Sequence, residues 1–216
     1  IDTGADPTHE ALNGKIVEFK DFVNNQTIPY DDNGHGTHCA GVVAAAINNS
    51  IGISGLAQVR IMAEKGLDEN GDGSTSDLSR AIVHAVDHGA KIISCSWGGS
   101  GQSALLHEAV EYAFDHGVLV VAAAGNDAAS TKEYPAAYDE VVAVAATDQT
   151  DSKAYFSNWG DWIELAAPGV DIYSTMPTYP VTMNVYYGFS MNYDYMSGTS
   201  MACPHVAGVA ALFWSL

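Results

Sequence analysis

Basic residues are scarce. Eight Lys and Arg stand against 26 Asp and Glu, a formal net charge of −18. A chain this acidic repels polyanions, which argues against nucleic acid and anionic membrane as partners. Solubility, salt tolerance and cationic ligands are favoured, without a choice among them. Long apolar runs are also missing. VLVVAAAG (118–125) and VVAVAAT (141–147) are of strand length, well short of the ~18 residues a membrane span needs. Cysteine is limited to Cys39, Cys95 and Cys203. The odd number leaves a free thiol, the spacing matches no zinc pattern, and the small apolar neighbours mark buried structural thiols. No repeat, linker or low-complexity segment divides the 216 residues, so residues 1–216 read as a single domain with a substantial core.

What is present alternates. Apolar runs at 59–64, 91–96, 118–124, 141–146 and 162–166 read as strands covered on both faces. Helical stretches lie between them. One covers 77–88 and opens on Asp77 as its cap; another covers 103–116 and opens on Ser103. Both run into DHG, with His88 or His116 in the last turn and Gly89 or Gly117 as the stop. Further helices are predicted over 36–47 and from 200 onward. The alternation predicts an α/β fold, a mostly parallel sheet flanked by helices, with sites at the C-terminal ends of strands.

SGTSMACPHV (197–206) raises the functional question. Pro204 belongs near the start of a helix, which puts the Ser200 hydroxyl at a helix N-terminus, where N–H groups favour negative charge. A serine there is ordinarily only a cap, because a nucleophilic hydroxyl needs a base and the base an orienting acid. DDNGHGTHCAG supplies His35 and His38 at the head of an Ala/Val-rich helix, and IDTGAD supplies Asp2. VVAAAGND ends a buried strand in Gly125-Asn126, where an Asn amide can donate to an oxyanion. Each signal is weak alone; four at element boundaries are specific. Competing motifs fail. HEAL (9–12) lacks the second zinc-protease His, HGTH lacks a third metal ligand, and Ala202 spoils a G-x-S-x-G elbow.

IDTG, NGHGTHCAG, VVAAAGN and SGTSMACPHVAG together resemble the signature blocks of the subtilisin family of serine proteases, most closely its thermitase-like branch. The resemblance implies the three-layer subtilisin-like fold. It also implies Asp2 as orienting acid, His35 as general base, Ser200 as nucleophile, and Asn126 with the Ser200 N–H as oxyanion hole. His38 then reads as a structural histidine. Ser96, Trp97 and Gly98 match the strand that pairs with an extended peptide on one side, and Gly71, Asp72 and Gly73 the edge on the other. Protein or peptide substrates, secretion, and a signal segment and folding propeptide upstream are implied, with the chain read as a catalytic core cropped at both ends. Ala123, Ala124 and Gly125 would wall the primary specificity pocket, with Glu133 at its foot, where most relatives carry something small or neutral. That position leads to an expected preference for Lys or Arg before the scissile bond, against a solvated carboxylate paired with Lys132.

Calcium is the expected structural ion. Asn49 and the carbonyls of Ile47, Ile51 and Ile53 match a family calcium loop, but Ala11 stands where its Asp is expected, with Glu10 one place early. A second site keeps only Asp21 of its acids, and DENGDG (68–73) imitates half a calcium loop without the final Glu. The site is therefore expected to be weakened. TYPVTMNVYYGFSMNYDY (178–195) is longer than the family's approach to the Ser block and reads as a hairpin beside the active site. A peptide-binding pseudo-enzyme and an esterase or peptide ligase are the alternative readings.

Overall fold

The computed structural model describes residues 1–215. A 3-10 turn at Glu10–Leu12 precedes β1 (Ile16–Asp21), α1 (His35–Ala44), β2 (Ile61–Lys65), α2 (Thr75–Asp87) and β3 (Ile92–Cys95). α3 (Ala104–Asp115), β4 (Leu119–Ala123), β5 (Val141–Thr147) and β6 (Leu165–Pro168) follow. The chain ends through β7 (Ile172–Thr175), α4 (Thr182–Tyr187), β8 (Tyr193–Met196) and α5 (Thr199–Trp214). β3, β4, β5 and β6 pair in that order and in parallel, while β1 pairs in parallel with β2.

The apolar runs become strands because both faces are covered. Ile82, Ala85, Leu106, Val110 and Ala113 of α2 and α3 bury one face, against Ile93, Val120 and Ala143. On the other face Ala202, Cys203 and Ala207 of α5 meet Val121, Ala123, Val144 and Ala167. The alanine-rich strands let helices approach closely, so packing rather than alternation sets the pattern. α1 packs beside α5 on this second face. The three layers are therefore the two helix pairs and the sheet.

The sheet departs from a continuous one. β2 and β3 do not pair with each other. At one end Ile1 and Asp2 link them: the Ile1 nitrogen donates to the Ser94 carbonyl at 2.9 Å and Asp2 N–H to the Glu64 carbonyl at 3.0 Å. Between the two strands runs a cavity of about 620 Å³.

Several boundaries differ from expectation. β6 starts at Leu165, not 162, because Trp162 is a buried anchor whose indole donates to the Ser130 carbonyl. Ser74, not Asp77, caps α2; Asp77 instead donates its N–H to the Ser74 hydroxyl and accepts that hydroxyl's proton. Ser103 caps α3 as expected. β1, β7 and β8 lie outside the apolar runs that predict strands. The 178–195 segment is not a simple hairpin: β7 and β8 are antiparallel, but the one-turn-and-a-half α4 stands between them. Its first N–H groups, at Thr182 and Met183, donate to the carbonyls of Asp32 and Asn33, just ahead of α1.

Candidate active site

α1 begins where a glycine-rich turn allows two backbones to touch. A Cβ on Gly36 would stand 2.2 Å from the Gly4 carbonyl oxygen, so only glycine brings the His35 turn against the IDTG turn. The contact sets His35 Nδ1 2.7 Å from Asp2 Oδ1. Asp31, which opens the DDNGHGTHCAG stretch but was given no role there, fixes both sides of it. Its buried carboxylate accepts the hydroxyls of Thr3 and Thr37 and the N–H groups of Asn33, Gly34 and Thr37. Thr3 in turn accepts the Gly36 N–H at 2.9 Å. Lys65, wholly buried, holds the Asp2 strand from behind, donating to the Thr3 and Leu67 carbonyls and to Asp32.

Burial opposes the charge on both members of the acid–base pair. Burial pushes His35 down, but the adjacent Asp2 carboxylate outweighs it and holds the imidazole well above its ordinary 6.5. Burial pushes Asp2 up, yet the charge and hydrogen bond of His35 bring it below the usual 3.8. Each group thus favours the charged form of the other. His38, one turn on, is different. Fully buried, with Nε2 3.0 Å from the Ile172 carbonyl, it is driven by burial down to about 4. It is the structural histidine the pattern implied.

Ser200 stands second in α5, and Pro204 explains its setting. Proline lacks the N–H that would bond the carbonyl four residues back. The Ser200 carbonyl is left free, and the Ser96 hydroxyl and Cys39 thiol donate to it at 2.8 and 3.5 Å. The Ser200 hydroxyl donates to the Ser96 carbonyl at 3.0 Å. Ser96 at the end of β3 and the nucleophile candidate therefore clasp each other. Cys39 Sγ also lies 3.9 Å from His35 Nδ1, so one sulfur bridges the His35 and Ser200 neighbourhoods. All three cysteines are free and buried, as expected.

Asn126 is aimed by Thr199. Its Oδ1 accepts the Thr199 N–H and hydroxyl, leaving Nδ2 to donate elsewhere. A Cβ at Gly198 would lie 3.6 Å from the Ser200 nitrogen and 3.7 Å from Asn126 Nδ2, so both nitrogens lie within 3.7 Å of one point. Gly125 keeps the turn before Asn126 open. At φ +101° it lies so close to Asn158 that a Cβ would meet Nδ2 at 2.4 Å. Asn158, another residue the motifs missed, is fully buried and binds the Ala124 carbonyl and the N–H groups of Asp127 and Ala129.

The residues expected on the substrate side lie on two separate segments and a loop. Gly99 and Tyr134 exchange both backbone hydrogen bonds, which fixes one edge of the 96–99 segment. The Trp97 indole points away, donating to the Ile1 carbonyl, so only its backbone is available to a peptide. Glu133 lies between two strand ends: a Cβ on Gly98 would stand 3.5 Å from its Cβ and one on Gly125 3.0 Å from its Cγ. It forms no ion pair with Lys132 among the described residues. Burial, and then the charge of Asp127, push its carboxyl up from 4.5. Ala123 and Ala124 are buried beside it. Gly71, Asp72 and Gly73 form an exposed edge, held by an Asp68 turn whose carboxylate accepts the Asn70 and Asp72 N–H groups. That carboxylate is spent on the turn, which accounts for the calcium-like spelling of DENGDG.

The calcium residues fit the ion poorly. In the loop 47–53, Asn49 supplies a side-chain oxygen, and this already accepts the Ile51 N–H at 3.1 Å. Glu10, the substitute acid, accepts the Tyr193 hydroxyl at 3.1 Å, and the Tyr193 ring packs on Gly52. At the second place Asp21 is saturated by Val23, Asn24 and Gln26 N–H groups and the Tyr30 hydroxyl. Among the described residues Asp21 is fully engaged, and Glu10 already accepts one donor through Oε1.

A buried acid–imidazole pair, a helix-start serine joined to its neighbourhood through the Cys39 sulfur, and two nitrogens near Gly198 are elements that acyl transfer through serine uses. The chain belongs to the subtilase family, whose family model matches residues 1–216. It is 50% identical over 216 residues to a thermophilic serine proteinase of Bacillus sp. (strain AK1), of which it spans 51%, and 47% identical to thermitase of Thermoactinomyces vulgaris, of which it spans 73%. A solved cold-adapted subtilisin-like serine proteinase superposes with a TM-score of 0.86 at 38% identity, covering 99% of this chain and 73% of that one.

Proposed function

We propose that these residues are the core of a single catalytic domain of a serine endopeptidase that cleaves extended protein substrates. The observation that carries this reading is the 2.7 Å Asp2–His35 bond beside Ser200. On binding, the Ser200 hydroxyl leaves the Ser96 carbonyl and gives its proton to His35 as Oγ attacks the scissile carbonyl. Asp2 holds the resulting imidazolium. The oxyanion lodges between Asn126 Nδ2 and the Ser200 N–H, and His35 then passes its proton to the departing amine. Water repeats the sequence on the acyl-enzyme. The peptide lies between the Ser96–Gly98 and Gly71–Gly73 edges, its main chain held by backbone bonds. Glu133, unpaired and between the strand ends, supports a preference for Lys or Arg before the scissile bond.

Secretion, an upstream propeptide as folding partner and a weak structural calcium at 47–53 complete the proposal. The acidity of the chain speaks against nucleic acid and anionic membrane, and no helix among the described residues is long and apolar enough to cross a membrane. A fluorophosphonate probe followed by peptide mapping tests the nucleophile. Label on Ser200, with peptide hydrolysis, is expected. A folded, unlabelled protein would support a peptide-binding module, and label with turnover of esters alone an esterase.

A further inference from the structure

Both members of the acid–base pair are tied to one short stretch, residues 66–73. On the Asp2 side, the Asp2 carbonyl accepts the Gly66 and Leu67 N–H groups at 3.0 and 3.2 Å. Lys65 Nζ joins the Thr3 and Leu67 carbonyls at 2.9 and 2.7 Å. On the His35 side the tie is the side chain of Asn33. Its Oδ1 accepts the His35 N–H at 3.2 Å, and its Nδ2 donates to the Glu69 carbonyl at 2.9 Å. On the endopeptidase reading above, on which this rests, we propose that Asn33 is a positioning residue. It sets the Gly71–Gly73 edge against His35, so that a peptide lying on that edge meets the base in register.

An amide suits this place because it carries one acceptor and one donor. The His35 N–H is among those at the start of α1 that no carbonyl within the helix can reach, and the cap residue Gly34 has no side chain to offer it. Glu69 presents a carbonyl. The two partners therefore fix which end of the amide is oxygen. Asn33 is 4% exposed, so both bonds are made away from water. Its backbone is held as well, its N–H by the Asp31 carboxylate and its carbonyl by the Met183 N–H.

A grip on Glu69 is enough to place the whole edge. Residues 68–72 are locked to one another: the Asp68 N–H donates to the Asp72 carbonyl at 2.8 Å and the Gly71 N–H to the Asp68 carbonyl at 3.1 Å. The Asp68 carboxylate accepts the Asn70 and Asp72 N–H groups. The feet of the turn meet where a Cβ on Gly73 would stand 2.6 Å from the Gly66 carbonyl oxygen. The turn therefore moves as one body, and Asn33 links it to the helix that carries His35. A Cβ on Gly71 would lie 4.0 Å from Asn33 Nδ2, so the amide lies next to the edge itself. Register matters here, because a misplacement of reacting groups by ~1 Å can cost ~10²-fold in rate.

The test compares the wild-type chain with Asn33→Asp and Asn33→Ala on two substrates that share the residue before the scissile bond. One is a blocked peptide amide long enough to lie along Gly71–Gly73; the other is a single-residue ester that does not reach it. Thermal melting checks that each variant is folded. Asn33→Asp has nearly the same shape and keeps an acceptor for the His35 N–H, but sets a second oxygen against the Glu69 carbonyl. Rates are read on the alkaline plateau, where His35 is neutral in every protein. In Asn33→Asp, kcat on the long peptide should fall by about 10–100-fold with little change in KM, and at least about ten-fold more than on the ester. Asn33→Ala, which cuts both bonds, should show the same difference with a larger loss on the ester. Fluorophosphonate labelling of Ser200 should follow the ester. Equal losses on peptide and ester, as a loosened fold would give, overturn the proposal, as does a loss confined to KM. The wild type supplies a check that needs no variant: kcat must itself rise as residues are added along the edge, and a gain in affinity alone overturns the coupling. A wild type that leaves the peptide intact ends the endopeptidase reading, and this role with it. A wild type that cleaves the peptide, with losses in the variants that ignore substrate length, ends only the role of Asn33.

Discussion

The two ends of the sheet are held by different forces. At the C-terminal end, polar groups far apart in sequence tie the elements together: Ser96 to Ser200, Asn126 to Thr199, Asp31 to Thr3 and Thr37. At the other end the helices stop on their own local signals, Gly89 at φ +86° and Gly117 at +69°, and β2 and β3 make no hydrogen-bonded pair. The difference is one of tolerance. A packed apolar layer accepts small shifts, whereas a buried carboxylate with five donors has one arrangement. Acyl transfer needs atoms placed to a fraction of an ångström, and that is where the long-range polar ties are spent.

The largest expected effect comes from breaking the catalytic end at its centre. Ser200→Ala or His35→Ala should each lower kcat by ~10⁴-fold or more, and the double variant should be hardly worse, because the groups act as one unit. In the proposed mechanism the working form of His35 is neutral. Asp2 raises its pKa well above 6.5, so kcat/KM should climb with pH only on the alkaline side of 6.5. Asp2→Asn should remove that stabilisation, shift the limb to lower pH and cut the rate. A full-activity Ser200→Ala, or a limb that Asp2→Asn leaves in place, would sink the assignment.

Next in size is the tie made by Asp31. Asp31→Ala would strand the N–H groups of Asn33, Gly34 and Thr37 in the interior. Hydrogen bonds to a buried charge are worth ~1.5–3 kcal/mol each, so a loss of at least ~3 kcal/mol is expected by denaturant unfolding. Because the His35 turn would loosen against IDTG, kcat should fall more than KM rises. A variant of unchanged stability would show that the two ends of the sheet are held alike after all.

Asp31 also shows what could be read from the sequence and what could not. Asp2, His35, Asn126 and Ser200 are legible because each sits in a local pattern forced by its own backbone: a turn, a glycine contact, a strand end, a helix start. The helices over α2 and α3 are legible for the same reason, since caps and glycine stops are local. Asp31 lies within the quoted DDNGHGTHCAG block, yet its partner Thr3 is 28 residues away. Asn158 binds Ala124 across 34 residues, and Pro204 matters because it frees a carbonyl for Ser96, 104 residues back from Ser200. β7 and β8 pair across an inserted helix, and β1 carries charged residues that mask its strand pattern. Such ties are properties of the folded chain, which periodicity and spacing do not carry.

A subtler effect concerns Glu133. Its carboxylate is partly screened, so an ion pair with a substrate Lys is worth ~1–4 kcal/mol, and Lys should exceed Glu before the scissile bond by about ten-fold or more. The raised pKa gives the sign of the pH effect: the preference is full above it and fades as pH falls through it. Added salt should erode it too. Glu133→Gln should flatten the Lys-to-Glu ratio in kcat/KM on peptides varied only there. An identical ratio in both proteins would place Glu133 outside the pocket.

The smallest expected effect is that of calcium, and it sharpens the contrast between the catalytic end and the periphery. The loop 47–53 offers carbonyls and Asn49, with no free carboxylate, and calcium affinity follows the number of charged ligands. Binding should therefore be weak, with a midpoint of about 0.1–1 mM, as in low-affinity extracellular sites. Chelation should lower Tm only slightly when calcium is in the micromolar range, since a weak site is then nearly empty. The hydroxyl of Tyr193 is what occupies Glu10 here. Tyr193→Phe removes that donor while keeping the ring on Gly52. If Glu10 is the substitute ligand, the variant should bind calcium several-fold more tightly and gain more Tm at millimolar calcium than the parent. If Tyr193→Phe and the parent respond alike, Glu10 does not reach the loop. A submicromolar site in the parent would mean that carbonyls alone can hold the ion here.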